Sequence, residues 1–383
     1  MPDRVVYLDN HATTRVDPRV VEAMRPYWTE KYGNAASVSH AYGEEAADAV
    51  ETARAQIAEL LNATPRNLIF TSGATEANNL AIKGVIQAVG SSVHLIVNEA
   101  EHRAVLDPAR KLKRLGCELT VLPVDKYGMV DPQSVAAAIQ PNTALVSVMF
   151  ANNEVGTINP VAEIGEICHE RGVLFHCDAA QAVGKLPVDL ADLPIDLLSL
   201  TAHKMYGPMG VGALYVRGGD KRIPIEPLFD GGGHERRLRS GTLPVPLIVG
   251  FGEACKLAAE VMRDESKRVQ QLRDRLWGGL SEAVEGVYLN GHPDLRLAGN
   301  LNVSFDGVDG DALMMGLRDI AVSSGSACTS ADPQPSHVLR AMGVSDELTR
   351  ASLRFGLGRF TTLEEIEFAV SYVADAIDRL RRL

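Results

Sequence analysis

The stretch Val173–Lys204 reads VLFHCDAAQAVGKLPVDLADLPIDLLSLTAHK and decides the fold class. Two short runs in it, Val173–Asp178 and Leu197–Thr201, are apolar almost without interruption instead of alternating with polar residues. Such runs are typical of strands that are buried on both faces of a mostly parallel sheet. Polar groups close each run, with Asp178 at the end of the first and Lys204 just beyond the second. The stretch therefore predicts two buried strands whose carboxyl ends carry functional groups.

The same pattern extends in both directions from this stretch. Between about residues 45 and 250, apolar runs alternate with helical patterns such as Glu44–Leu61 and Ala162–Arg171. The further apolar runs are Leu68–Thr71, Val93–Asn98, Leu119–Pro123, Leu145–Phe150 and Gly212–Val216. This alternation is the signature of a doubly wound α/β domain. We expect a large α/β domain over residues 15–258, with a mostly parallel sheet flanked by helices.

A smaller α/β domain is predicted from the rest of the chain. From about residue 258 the pattern changes to a long charged helix, roughly Glu260–Val284, and then to strand-like runs at Asn302–Phe305 and Ala351–Phe355. The last helix opens with a capping-box pattern over Thr362–Glu365. We expect residues 259–383 to form this domain together with residues 1–14.

Composition argues against several classes of protein. The 383 residues carry a net charge of −11, whereas a nucleic-acid-binding protein usually presents a basic face. Five cysteines without CxxC spacing argue against a disulfide framework and a thiolate metal site, and for a reducing compartment. No apolar run approaches the length of a membrane span, and Met1–Asn10 has no apolar signal core. We expect a cytoplasmic enzyme that binds no metal, nucleic acid or membrane.

Polar side chains follow five of the predicted strands at the point where each strand ends. In an open α/β sheet, ligands bind beyond the carboxyl ends of the strands. The polar segments are Ser72–Glu76, Glu99–His102, Asn152–Glu154, Asp178–Gln181 and Ala202–Lys204. Five adjacent strand ends would form one polar cleft, which is the predicted site.

Three segments of this cleft favour a phosphorylated cofactor with a cationic ring. Gly73–Thr75 begins a helix directly after a strand, where free backbone N–H groups suit a phosphate, although an ordinary turn with a hydroxyl cap fits equally well. Asp178 is either a helix cap or the partner of a buried cation such as a pyridinium nitrogen. Lys204 is a candidate Schiff-base lysine, with Thr201 and His203 beside it as phosphate donors.

Two further residues are candidates for proton transfer and substrate binding. His102 is either a surface histidine before a helix or a group that moves protons in the cleft. Arg354 lies in a predicted strand of the smaller domain. It is either an ordinary ion-pair partner or a bidentate clamp on a substrate carboxylate.

One cysteine differs from the others in its surroundings. Cys328 lies among small polar residues, Ser323–Ser330, with Pro333 and Pro335 after it, which is typical of an exposed mobile loop and a reactive thiol. The remaining cysteines lie in apolar or helical patterns and are assigned structural roles: Cys117, Cys168, Cys177 and Cys255.

These motifs together resemble the NifS/IscS-type cysteine desulfurases, within the class V aminotransferase superfamily. The similarity runs from Tyr7 to Thr362 and covers nearly the whole chain. Its most specific motifs are FTSGATEANN at Phe70–Asn79, HKMYGPMGVG at His203–Gly212, GGGHERRLRSGTLP at Gly231–Pro244 and SSGSACTS at Ser323–Ser330. The last motif is typical of the group with a long mobile loop around the catalytic cysteine. The resemblance implies the pyridoxal-phosphate transferase fold of type I.

The resemblance also implies a reaction. Enzymes of this family use pyridoxal 5′-phosphate to convert L-cysteine to L-alanine. The sulfur stays as a persulfide on an enzyme cysteine and then passes to an acceptor such as an iron–sulfur scaffold. Carried over to this chain, Lys204 holds the cofactor as an imine, Cys328 is the nucleophile, and Lys204 and His102 move protons. A homodimer is implied, in which Thr242 reaches the phosphate of the neighbouring subunit.

The remaining roles are implied residue by residue. Asp178 pairs with the pyridine nitrogen, and Gln181 and Asn153 contact the ring hydroxyl or the substrate. Arg354 holds the cysteine carboxylate. The phosphate is held by Ala74, Thr75, Thr201 and His203.

Three alternatives are weighed against this function. A selenocysteine lyase and an aminotransferase use the same cofactor. An aminotransferase has no need of the segment Ser323–Ser330, which disfavours it, whereas the sequence leaves a selenocysteine preference open. The third alternative is a sulfur-relay protein with a dead site, and the intact residues argue against it: Lys204, Asp178, His102 and Cys328.

Overall fold

A computed structural model of the chain describes residues 5–90, 92–218, 223–324 and 335–382. The strands in these ranges are β1 Val6–Tyr7, β2 Leu68–Thr71, β3 His94–Asn98, β4 Glu118–Leu122, β5 Thr143–Ser147, β6 Leu174–Asp178, β7 Leu197–Thr201, β8 Gly212–Val216, β9 Val287–Asn290, β10 Asn300–Phe305, β11 Ile320–Ala321, β12 Ser323–Ser324 and β13 Ser352–Gly356. The helices are α1 Pro18–Met24, α2 Pro26–Thr29, α3 Ala41–Leu60, α4 Ala74–Val89, α5 Arg103–Arg114, α6 Pro132–Ala138, α7 Val161–Glu170, α8 Val245–Ala283, α9 Gly310–Gly316, α10 His337–Ala341, α11 Asp346–Arg350 and α12 Leu363–Arg381.

The largest sheet is mostly parallel. Within the described residues its strand order is β2-β8-β7-β6-β5-β3-β4. The strands β4, β3, β5, β6 and β7 run parallel, whereas β8 is antiparallel to both β7 and β2. This sheet confirms the predicted α/β class. The expectation of five adjacent functional strand ends is wrong in one respect, because β8 lies between β2 and β7. Since β2 still points the same way as β7, all five ends meet at one edge.

Both faces of this sheet are covered. On β3, Ile96 packs in one apolar cluster with residues of α3, α7 and α8, while its neighbours Leu95 and Val97 pack in another with residues of α4 and α5. Alternate residues of a strand face opposite sides, so each face is buried. The strands β2, β3 and β7 are buried at every position, as continuous apolar runs predict. The run at Leu119–Pro123 differs, since β4 is the edge strand and only Leu122 of its residues is fully buried.

Helix α8 is longer than the sequence indicates. It begins at Val245 rather than near Glu260 and runs to Ala283. Its first half contributes Phe251 to the cluster on the large sheet, and its second half contributes Leu276 to a separate apolar cluster. The helix therefore passes through the boundary expected between residues 258 and 259, and the division into two domains stays a prediction.

A second, smaller sheet packs against the end of the chain. It is antiparallel in the described residues, with the order β12-β13-β10-β9. Val6 and Leu8 of the N-terminal segment pack in its apolar cluster with Ile366 of α12, and β1 pairs with β11. The predicted capping box at the start of α12 is present, with Thr362 and Glu365 each accepting a backbone N–H from the other. None of the described helices combines the length and apolar character that crossing a membrane requires.

Candidate active site

A cavity of about 610 Å³ opens at the carboxyl ends of the large sheet. All five polar segments predicted from the sequence contribute to its lining. Arg354 reaches it from β13 of the smaller sheet, and His11–Thr13 reach it from the N-terminal segment. The predicted site residues that line it are Ala74, Thr75, His102, Asn153, Asp178, Gln181, Thr201, His203, Lys204 and Arg354.

The start of α4 forms one end of the cavity. Gly73, the residue before the helix, gives it no side-chain cap and has a φ of +152°, a region that favours glycine. The first backbone N–H groups of a helix have no partner within it, and here no hydroxyl replaces one. Thr201, at the end of β7, lines the same end of the cavity, and its Oγ1 donates to the backbone oxygen of Val211 at 3.2 Å. This end of the cavity suits a phosphate.

His203 lies beside this end and is held by the N-terminal segment. Its Nδ1 lies 3.1 Å from Thr13 Oγ1. Burial, together with the charges of Lys204 and Lys185, lowers the pKa of His203 to about 4. The imidazole is therefore neutral at pH 7, and its Nε2 is the ring nitrogen left for a ligand.

Asp178 presents a buried carboxylate at the end of β6. Its Oδ1 accepts the Ala180 N–H at 3.0 Å, and its Oδ2 accepts the Asn78 amide at 2.6 Å. The helix-cap interpretation is wrong, because no helix begins between Asp178 and β7 in the described residues, and the bond to Ala180 closes a turn instead. The carboxylate keeps lone pairs for a cation, because it has about four lone-pair sites. Asn78 is a residue that the sequence analysis missed. Its signal was its position one helical turn after Ala74, on the same face of α4.

Lys204 lies on the short turn Ala202–Lys204 that follows β7. Its Nζ donates hydrogen bonds to the backbone oxygen of His11 and, at 2.6 Å, to that of Ala12. The N-terminal segment thus contacts the lysine directly, and no sequence pattern near Lys204 indicated this contact.

His102 caps α5 and lines the cavity. Its Nδ1 accepts the backbone N–H of Ala104 at 3.1 Å, so this nitrogen carries no hydrogen. Burial lowers the pKa of His102. The ring is therefore neutral with its hydrogen on Nε2, and it can offer that hydrogen to a ligand as a hydrogen-bond donor.

Arg354 is an ion-pair partner that also keeps one buried donor without a partner in the described residues. Its Nη2 contacts Asp9 Oδ1 at 2.8 Å and Ser323 Oγ at 2.9 Å, and its Nη1 donates to the backbone oxygen of Asn153 at 3.0 Å. Its Nε is buried and has no hydrogen-bond partner in the described residues. A buried, unpartnered donor at the wall of the cavity fits a carboxylate ligand.

Two predicted residues do not join this arrangement. Thr242 is exposed and does not line the cavity of a single subunit, and its role toward a neighbouring subunit stays a prediction. Cys328 lies outside the described residues. The cysteines that the structure describes are free and buried, and burial raises the pKa of Cys168 to about 12. Such thiols are poor nucleophiles, as expected for structural cysteines.

Comparison with known proteins assigns the family. Residues 6–368 match the aminotransferase class-V family. A cysteine desulfurase IscS of Anaeromyxobacter dehalogenans is 53% identical over 381 residues, which are 99% of this chain and 94% of the relative. A solved NifS-like protein superposes with a TM-score of 0.91 at 38% identity, covering 98% of this chain and 100% of that one. A structure of SspA in complex with cysteine has a TM-score of 0.83 at 37% identity, covering 93% and 100%.

The chain therefore belongs to the class V aminotransferases, a pyridoxal-phosphate-dependent family, and within it to the cysteine desulfurases. This confirms the resemblance and the enzyme class expected from the sequence. The cavity fits the cofactor, since it joins an uncapped helix start, a buried carboxylate at Asp178 and the amine of Lys204.

Proposed function

We propose that this chain converts L-cysteine to L-alanine and transfers the sulfur to Cys328 as a persulfide, with pyridoxal phosphate bound at Lys204. The observation that carries the proposal is the convergence of four groups in one cavity: the start of α4, Asp178, Lys204 and Arg354. A phosphate, a ring nitrogen, an imine carbon and a substrate carboxylate need these groups together. The similar structure solved with cysteine supports the choice of substrate.

The side chains divide the cofactor and the substrate between them. Asp178 would hold the pyridine nitrogen, while Gln181 and Asn153 would contact the ring hydroxyl or the substrate. Arg354 would bind the substrate carboxylate through its free Nε. The phosphate would be held by Ala74, Thr75, Thr201 and His203. When bound, the cofactor withdraws electrons from the substrate Cα and makes its proton acidic.

Two side chains take part in proton transfer in this scheme. The Nζ of Lys204 takes the proton from Cα, since it is the amine at the point of attachment. His102 would assist this transfer as a hydrogen-bond donor through Nε2, the ring nitrogen that its bond to Ala104 leaves protonated. Met149 and Ala151 add apolar lining to the cavity that holds these groups.

The sulfur step balances without an added oxidant. The Cys328 thiolate attacks the substrate sulfur, and an S–S bond forms as the Cβ–S bond breaks. The electron pair of the broken bond stays with the carbon fragment, which takes up protons and leaves as alanine. The persulfide on Cys328 is then attacked by an acceptor thiol, as in thiol–disulfide exchange.

The same scheme implies two partners, a second subunit and a sulfur acceptor. A homodimer would bring Thr242 to the phosphate of the neighbouring subunit. Aromatic side chains support such an interface, because Trp28, Tyr32 and Tyr42 are each more than half exposed in a single subunit. The sulfur acceptor would be a protein such as an iron–sulfur scaffold, as the IscS name of the relatives suggests, in the cytoplasm.

The test replaces the proposed nucleophile and compares it with a structural cysteine. Cys328→Ser should bind pyridoxal phosphate and cysteine as before but release alanine and sulfide at background level, because a serine hydroxyl is not ionised at neutral pH. Cys117→Ser is the matched control, since a hydroxyl can replace the hydrogen bonds of its thiol to the backbone of Val93 and Glu118. Normal alanine release by Cys328→Ser would show that the proposed mechanism is wrong.

A further inference from the structure

We infer that Lys185 is a positioning residue, which fixes the side-chain amide of Gln181 so that its nitrogen, and not its oxygen, donates to the ring oxygen of bound pyridoxal phosphate. The inference rests on the proposed function, in which Gln181 contacts the cofactor ring. Lys185 itself does not line the main cavity and lies behind Gln181.

The orientation of the amide follows from donor and acceptor chemistry. The Nζ of Lys185 lies 2.8 Å from Gln181 Oε1. A lysine ammonium group has three donors and no acceptor, so the amide atom that faces it must be the oxygen. The amide nitrogen then points away from Lys185 and donates one hydrogen to the backbone oxygen of His11 at 2.9 Å. Its second hydrogen is available to a ligand, because Gln181 lines the cavity.

A second donor holds the same oxygen. The Nδ1 of His11 lies 2.9 Å from Gln181 Oε1 and must carry a hydrogen, because that oxygen can only accept. Burial, together with the charges of Lys185 and Arg354, holds the pKa of His11 well below its usual range, so the ring is neutral. Its Nε2 is accordingly a bare acceptor, buried and without a partner in the described residues. Both lone pairs of the amide oxygen are thus occupied, and turning the amide would break both bonds.

Lys185 fixes the orientation of the Gln181 amide less firmly than His11 does, unless the Lys185 amine is charged. Burial lowers the pKa of Lys185 to about 7, assisted by the charges of Lys204 and Arg354 and opposed by Glu265. A neutral amine could also accept a hydrogen bond and would no longer dictate which amide atom faces it. A bound phosphate and an anionic ring oxygen add negative charge nearby and favour the ammonium form. Cofactor binding and the orientation of Gln181 should therefore reinforce each other.

The test is a double-mutant cycle on the affinity of the cofactor-free chain for pyridoxal phosphate. Lys185→Met and Gln181→Ala should each weaken binding by about tenfold, the size expected for a lost hydrogen bond with a charged group. Since Lys185 acts through Gln181, the double variant should bind about as weakly as Gln181→Ala alone. Unchanged affinity in Lys185→Met, or losses that multiply in the double variant, would overturn the inference.

Three further variants keep the test decisive. Lys256→Met removes an exposed lysine of α8 and should leave the affinity unchanged. If Lys185→Met does not fold, Lys185→Arg and Lys185→Gln replace it. A guanidinium group has only donors and should retain the affinity, whereas an amide can present its own oxygen and should lose it. Equal affinities of these two variants would contradict the inference. Failure of the unaltered chain to bind pyridoxal phosphate would instead contradict the proposed function.

Discussion

At the scale of single residues, burial determines which groups of the cavity carry charge. His11, His102 and His203 all have lowered pKa values, mainly because burial disfavours the charged ring. The basic side chains at or directly behind the cavity include those of Lys204, Arg354 and Lys185. Arg354 supplies fixed positive charge for a substrate carboxylate, whereas Lys204, as a neutral amine, would take up the substrate proton.

The role of Asp178 is testable at this scale. Asp178→Asn should slow exchange of the substrate Cα proton by about a hundredfold, because an amide cannot hold the ring nitrogen as a cation. Cysteine binding should weaken far less, since Arg354 holds the carboxylate. Solvent deuterium uptake into alanine measures the first quantity, and a spectroscopic titration with cysteine measures the second. Asp189→Asn, which changes an exposed carboxylate bound to Asn62, is the control. Equal losses in both quantities would indicate a merely structural role.

At the scale of elements, close backbone approach shapes the start of α4. Strand β8 passes so near that a Cβ on Gly212 would lie 2.7 Å from the Cα of Gly73. The side chain of Glu76, in the first turn, accepts hydrogen bonds from Arg239 at 2.8 Å and from the Ser72 N–H at 2.9 Å, so Arg239 balances its charge. The helix start therefore stays open to an external anion.

Two glycines at opposite ends of α4 provide a matched prediction. Gly73 and Gly90 have φ values of +152° and +118°, where alanine is strained by about 1–3 kcal/mol. Gly73→Ala and Gly90→Ala should therefore lower thermal stability by similar amounts. Only Gly73→Ala should also weaken pyridoxal phosphate binding, by about tenfold, because the strain acts on the N–H groups that would hold the phosphate. Unaltered cofactor affinity in Gly73→Ala would place the phosphate elsewhere.

At the scale of the whole molecule, the buried residue Glu154 joins the two sheets through its backbone oxygen. Glu154 follows the end of β5, and its backbone oxygen accepts hydrogen bonds from Asn300 and Asn302 of β10, at 3.1 Å each. Its side chain accepts a hydrogen bond from Ser336, at the start of α10. Burial raises the pKa of Glu154 to about 7. The junction between the two sheets thus contains a group that holds its proton near neutral pH.

This group predicts a pH dependence of stability. An unfolded glutamate ionises near pH 4.5, whereas folded Glu154 keeps its proton to about pH 7. The folded state therefore binds more protons in this window, and stability falls as the pH rises from about 4.5 to 7, by on the order of 3 kcal/mol. Glu154→Gln lacks this loss, so its melting temperature relative to the unaltered chain should rise across the window. Glu367→Gln changes an exposed site of α12, so its melting temperature relative to the unaltered chain should stay constant across the window. If the melting-temperature difference for Glu154→Gln also stays constant, Glu154 is not buried in a protonated form.

Much of this site could be predicted from the sequence, because groups at strand ends are positioned by the sheet itself. Asp178 and Lys204 directly follow apolar runs, and the sheet brings them together without any help from distant residues. His11 and Lys185 could not be found in this way, since their roles depend on how the N-terminal segment packs on the large sheet.

The early start of α8 was missed for a similar reason. Its Gly252 lowers helix propensity, but a Cβ there would lie 2.6 Å from Ala53 Cα, so the close packing of α3 requires it.

The location of the transferred sulfur shows which cysteine is the nucleophile. The cofactor-loaded chain is mixed with less than one equivalent of L-cysteine, alkylated and digested, and each cysteine peptide is weighed by mass spectrometry. One additional sulfur atom should appear on the peptide that contains Cys328 for every alanine released. The peptides of the four buried cysteines should gain none, because their thiols are held protonated. Alanine released without sulfur on Cys328, or sulfur on one of the buried cysteines, would contradict the account.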